Sequence, residues 1–209
     1  MSAAVLTTNQ DLSKRGISTY DDRDTFLSRR IIASPYLEES HLLDLTTLDD
    51  QSRLLALALS DLTTATRDYA IAAYEKAIDL EGLMSSLRTL VIAEGSRWTE
   101  QSFYVVEFRS TLKAGIDRDL LFTLDQKSHE EATQSGGLLK YWYGEPDAER
   151  RNLATCFWRN KDDAIKGGSG PWHKKARAIV PQIYQHIKVT GLLLTIKDDV
   201  LGWTLETAV

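Results

Sequence analysis

From Phe103 onward the sequence switches repeatedly between two hydrophobic periods, and few folds accept the resulting order of elements. The stretch "FYVVEFRST" is aromatic and β-branched, which favours extended chain. "IDRDLLFTLDQKSHEEATQS" instead has a helical period, with Leu120, Leu121, Leu124, Ser128 and Ala132 directed inward and Gly136 placed as a left-handed terminator. Two further strands, "GLLKYWYG" and "NLATCFWRN", follow across a polar turn containing proline. "KDDAIKGGSGPWHKKARAIV" reads as a short helical piece broken at Gly167 and Gly168, then a helix with Pro171 in its first turn and a stop or kink at Pro181. "YQHIKVTGLLLTI" is a strand whose alternation slips at Gly191, the mark of a bulge, and "GWTLETAV" adds an edge strand. Strand, helix, strand, strand, helix, strand is the split βαβ arrangement. It predicts an α+β, ferredoxin-like antiparallel sheet with helices on one face.

Upstream, residues 1–34 are rich in Ser, Thr, Asp and Arg and are expected to form a flexible arm, with order beginning near "FLSRRII". Residues 35–100 should be a mainly helical extension of the same domain as the 101–209 core. In it Asp49 or Asp50 caps a helix carrying Leu54, Leu55, Ala58 and Leu62, and a second helix carries Leu80, Leu83, Met84, Leu87, Leu90 and Val91 up to Gly95. A formal charge of -5 argues against a broad nucleic-acid surface. Cys156 is the single cysteine, so no intramolecular disulfide forms. No run is long and apolar enough to span a membrane, and the first residues lack a signal-peptide pattern. The acids Asp21, Asp22 and Asp24 also speak against a mitochondrial presequence, so a cytoplasmic location is expected.

The segments "GGLLKYW", "NLATCFWR", "FYVVEFRS" and "RDYAIAAYEKAIDLEGL" closely resemble a fungal family of uncharacterised proteins, over roughly residues 36–206. More distantly, "FWRNKDDA" followed by "WHKKA" is similar to the last strand-helix unit of dimeric α+β barrel proteins, the superfamily of antibiotic-biosynthesis monooxygenases, small cyclases and aldoxime dehydratases. This second resemblance implies the fold and a homodimer packed through the sheet, unless the extra N-terminal helices block it. Its members carry out many chemistries, so it implies no single activity.

Period-two alternation puts Tyr104, Val106, Phe108, Leu139, Tyr141, Tyr143, Ala154, Cys156 and Trp158 on one sheet face, which should meet the helices. The other face carries Phe103, Val105, Glu107, Arg109, Leu138, Lys140, Trp142, Leu153, Thr155, Phe157 and Arg159. It is too apolar for water and too charged for plain core, and either a partner subunit or residues 36–100 should cover it. A one-residue slip would exchange the faces.

Among these residues, His173 on the last helix is a candidate general acid or base, with Arg109 or Lys140 polarising a substrate carbonyl. Tyr104, Glu107, Tyr141, Trp142, Tyr143, Trp158 and His129 are candidate substrate contacts in an apolar pocket. Each has a plain structural alternative. His129 sits four residues after Asp125, within reach of an ordinary helical pair, and the aromatic stripes could be simple core. No metal-ligand spacing and no dinucleotide fingerprint occur, and Cys156 has no neighbouring base. The expected function is a cofactor-independent enzyme of fungal secondary metabolism, a cyclase or isomerase that folds a small hydrophobic substrate, a Diels–Alder-type reaction included. A non-catalytic binding or scaffolding protein is the alternative. A heme-dependent dehydratase or a cofactor-free monooxygenase is the third option.

Overall fold

The computed structural model describes residues 29–208. Most of the expected arm therefore lies outside the described residues, but its end does not. Strand β1 (Arg30–Ile31) pairs antiparallel with β2 (Leu43–Asp44), and Ala33 and Ser34 are buried. The Tyr141 N–H donates to the Ala33 carbonyl at 2.8 Å, tying this segment to the main sheet. The packed chain thus starts ahead of the expected boundary at 35.

Helix α1 (Asp50–Ala58) starts where Asp49 accepts a hydrogen bond from the Ser52 N–H, the capping expected of an aspartate at that position. A one-turn helix, α2 (Tyr74–Ala77), precedes α3 (Leu80–Ala93), which is capped by Asp79 and followed by Gly95 at φ 61°. Leu54, Leu55 and Leu59 from the first helical segment and Leu80, Leu83 and Leu87 from α3 are almost wholly buried. Each such leucine contributes about 1.5–3 kcal/mol through area removed from water.

Strand β3 (Gln101–Leu112), helix α4 (Arg118–Ser135), strands β4 (Leu138–Tyr143) and β5 (Arg151–Trp158), helices α5 (Lys161–Gly167) and α6 (Pro171–Ile183), and strands β6 (Tyr184–Ile196) and β7 (Trp203–Thr207) complete the chain. The sheet order is β4-β5-β3-β6-β7, every pair antiparallel. This is a ferredoxin-like α+β fold with one added edge strand. Pro181 lies inside α6 without ending it; the helix stops two residues later at Ile183.

Three layers result. On one sheet face Phe103, Val105, Leu153, Phe157 and Leu194 join the α1 and α3 leucines and Trp98 in one core. Of the two covers expected for this face, a partner subunit or residues 36–100, the chain's own N-terminal helices supply it. On the opposite face lie α4 and α6. Two details of register differ from simple alternation. Strand β4 is irregular between Leu138 and Lys140, so Leu138 packs with Trp158 while Leu139 joins the large core, the reverse of the alternation expected for these two residues. Strand β6 runs through Gly191 in register, opposite Val106, and the shift occurs at Thr111/Leu112 instead. A Cβ at Gly191 would lie 2.1 Å from the Tyr104 hydroxyl, so the missing side chain makes room for the tyrosine ring.

Candidate active site

Between α4, α6 and the sheet is a cavity of about 710 Å³. Its floor is the alternating face of β3 and β5, including Val106, Phe108, Ala154, Cys156 and Trp158. One wall is α4, where Leu121, Leu124, Asp125, Ser128, His129 and Ala132 repeat at helical spacing and all line the space. Leu120, expected inward, falls off this stripe and is exposed. The opposite wall is α6, through Ala176, Val180 and His173.

The cavity is mainly apolar and its polar groups converge on α4. Asp125 accepts hydrogen bonds from the Tyr36 hydroxyl and, at 2.6 Å, from the Tyr141 hydroxyl, one phenol to each carboxylate oxygen. Burial raises the Asp125 carboxyl above the ordinary aspartate value, and the two phenols pull only partly the other way. Burial and the neighbouring Asp125 also push both phenols up, so they remain donors. One helical turn on, the His129 Nδ1 lies 2.7 Å from the His41 Nδ1, so one nitrogen carries the proton and the other accepts it. Burial depresses His129 to about 3, helped by His41 and His173, and burial also lowers His41. Both rings are neutral near pH 7. Tyr36, His41, His129 and Tyr141 have ring centroids 4.8–5.5 Å apart in successive contacts and form an aromatic box around the carboxyl. The Ser128 Oγ and His129 Nε2 are buried and have no hydrogen-bond partner among the described residues.

His173 also lines the cavity, with its Nδ1 3.1 Å from a Glu131 oxygen. That carboxylate accepts the Trp172 and His173 backbone N–H groups too, and so caps α6, whose own N-cap residue is Gly170. Desolvation works to raise Glu131, but these donors outweigh it and hold the carboxyl low. Glu131 and His173 together dock the two cavity helices.

His129, His173, Tyr141, Tyr143 and Trp158 all line one cavity. Tyr104 shares their sheet face and packs against the Ala132, Leu138 and Trp158 cluster, beside the cavity. Arg109, Glu107, Lys140 and Trp142 are not brought there. Their side chains fall on the opposite face, where the N-terminal segment has closed over them. The Arg109 guanidinium pairs with Glu107 at 2.7 Å and donates to the Tyr69 and Ala72 carbonyls. The Lys140 ammonium, lowered by burial, donates to the Ser60 carbonyl at 3.3 Å, and Trp142 meets Tyr69 edge to face. These residues satisfy backbone carbonyls of the covering segment, so neither Arg109 nor Lys140 can polarise a carbonyl in the cavity. The Cys156 thiol faces the cavity, but burial raises it, which leaves it a poor nucleophile.

Asp125, Tyr36, His41 and Glu131 are the polar residues in or beside the cavity that alternation and spacing did not single out. Asp125 carried a signal: a carboxylate on the same helical stripe as Leu121, Leu124 and Ala132 has no reason to be there unless it is used or paired. Tyr36 and His41 carried none, because they reach α4 from nearly ninety residues away. Among the described residues no cluster of three or more His, Cys, Asp or Glu is arranged to hold a metal ion, and no helix is long and apolar enough to cross a membrane.

Residues 32–207 match the family model described as PB2B2.08-like. The UPF0643 protein PB2B2.08 of Schizosaccharomyces pombe is 38% identical over 168 residues, covering 76% of each chain. Solved structures with a similar fold include protein SO0527 from Shewanella oneidensis, 13% identical with a TM-score of 0.41 over 48% of this chain and 98% of that one. SnoaB, a cofactor-independent oxygenase from Streptomyces nogalater, is 8% identical with a TM-score of 0.34 over 43% of this chain and 90% of that one. By the extent of the family match and the identity to its yeast relative, this chain belongs to the PB2B2.08-like family.

Proposed function

We propose that the chain is a small-molecule enzyme that works without a bound cofactor and isomerises or cyclises a hydrophobic substrate, with Asp125 as its proton-transfer residue. The observation that carries this is a carboxyl with a raised pKa in an apolar cavity, held from both sides by the Tyr36 and Tyr141 phenols. An aspartate whose carboxyl is raised above its ordinary value holds its proton more readily and can act first as acid and then as base. Protonated Asp125 gives its proton to a substrate oxygen, and the two phenols stabilise the carboxylate left behind. The proton lost from the adjacent substrate carbon returns to the carboxylate, so an enolisation or the ring closure that follows it balances with no other reagent. Such proton transfer is worth roughly 10²–10⁴-fold in rate. Fixing a flexible substrate against the sheet can remove up to about 7–11 kcal/mol of barrier when the reacting atoms are well oriented. A place in fungal secondary metabolism is part of the same proposal.

The test is deletion of the gene followed by comparison of extracted metabolites. An uncyclised or unisomerised precursor should accumulate and be converted by purified protein. Asp125→Asn should convert it about 100-fold more slowly or worse. An unchanged metabolite profile under producing conditions, or full conversion by Asp125→Asn, would overturn the proposal.

A further inference from the structure

The shape of the cavity says what kind of molecule it takes. On β3 the lining residues are Val106, Phe108, Ser110 and Leu112. Six residue-to-residue steps of strand, from Val106 to Leu112, at about 3.3 Å each give a corridor of about 20 Å along the sheet. Its two ends differ. At one end Ala132, Leu138 and Trp158 are buried and close the space. At the other, the lining residues Arg118, Phe122 and Glu145 are exposed, so the corridor opens there. Asp125 is bonded to Tyr141, which pairs with Cys156 and through it with Val106. On α4, Asp125 lies seven residues from Arg118 and seven from Ala132, and Phe122 meets Tyr36 of the cluster edge to face, so the polar cluster stands midway along the corridor. Phe108, Ala154, Ala176 and Val180 are among the apolar residues that line the space with it.

The cluster is also uncharged in character apart from one carboxyl that already accepts two phenols. Ser128 Oγ and His129 Nε2, both in buried residues of this wall, lack partners among the described residues. A carboxylate brought against Asp125 would lose its hydration in an apolar space beside a second ionisable carboxyl, with no cation among the cluster residues to pair with it. An ammonium would lose its hydration for one oxygen acid whose two oxygens are both engaged.

From this geometry we infer that the cavity takes an elongated, electrically neutral molecule whose carbonyl or hydroxyl group is held at Asp125, with its apolar body along the corridor. This inference rests on the proposal of a small-molecule site at Asp125 and specifies its substrate class.

Titration calorimetry of the whole protein at pH 7.5 tests it, with 2-undecanone, undecanoate and undecylamine as probes. The ketone is expected to bind at least tenfold more tightly than either charged probe. Ala154→Phe on the sheet floor and Ala176→Phe on α6 each narrow the corridor, and each should weaken ketone binding at least tenfold while circular dichroism shows an unchanged fold. Equal or tighter binding of undecanoate or undecylamine would overturn the inference. So would undiminished ketone binding in both folded variants, or no binding of any probe. Loss of metabolite conversion is a separate readout. If Asp125→Asn converts the precursor at the wild-type rate while the ketone preference holds, the catalytic reading falls and the ligand class stands.

Discussion

Asp125 and His129 sit one turn apart on the same helical face and are driven in opposite directions by the same burial. The carboxyl is raised and the imidazole is lowered to about 3, because a low-polarity wall penalises whichever form carries charge. Their contributions to stability have opposite signs. Between about pH 6.5 and about 3 the unfolded chain protonates His129 while the folded chain does not, so folding weakens as pH falls through that window. His41 acts in the same direction. Asp125 favours the folded chain in acid and loses that advantage as pH rises through its folded value. His129→Gln is therefore expected to lose stability less steeply than wild type between pH 6.5 and 4, read as urea midpoints at each pH. Parallel curves for the two proteins would show that His129 is not held neutral by its surroundings.

The elements around the cavity depend on small departures from regular pattern. At Gly191 the Tyr104 hydroxyl occupies the place of a side chain. Gly191→Ala should cost about 1–3 kcal/mol through overpacking, and part of that cost should vanish in a Tyr104→Phe background, where the clashing hydroxyl is gone. Additive costs in this double-mutant cycle would mean that the two residues do not share the space. Strand and helix order from β3 to β7 was legible in the sequence because each element carries its own period, and the cavity floor was legible because β3 and β5 keep that period without interruption. The irregularity in β4 was not legible. "GLLKYWYG" offers two leucines of equal hydrophobicity, and only packing against Trp158 on one side and the α1–α3 core on the other decides which points where. Pro181 was likewise read as a stop or kink, yet α6 carries through it to Ile183.

For the molecule as a whole, the decisive fact is that one sheet supports two unlike faces. The N-terminal helices seal one with a continuous core, and Arg109 and Lys140 serve that seal by meeting the carbonyls of Tyr69, Ala72 and Ser60. The sequence left open whether a partner subunit or residues 36–100 would cover this face, since a charged and apolar strand face suits either. The other face holds the cavity, whose acid is completed by Tyr36 from the same N-terminal region. Leu87 is wholly buried in α3 against this core, so Leu87→Ala should destabilise the protein by about 2–5 kcal/mol. Urea unfolding followed by circular dichroism and by tryptophan fluorescence should still give one coincident transition, because helices and sheet share that core; separate transitions would show that the extension folds independently. The account depends on an enclosed carboxyl that the surrounding chain keeps protonated more readily than an ordinary aspartate. Carboxyl-carbon NMR of aspartate-labelled protein, with Asp125→Asn to assign the resonance, measures this directly. The account predicts a midpoint for Asp125 clearly above the ordinary aspartate value of about 3.9, and titration at or below that value would contradict it.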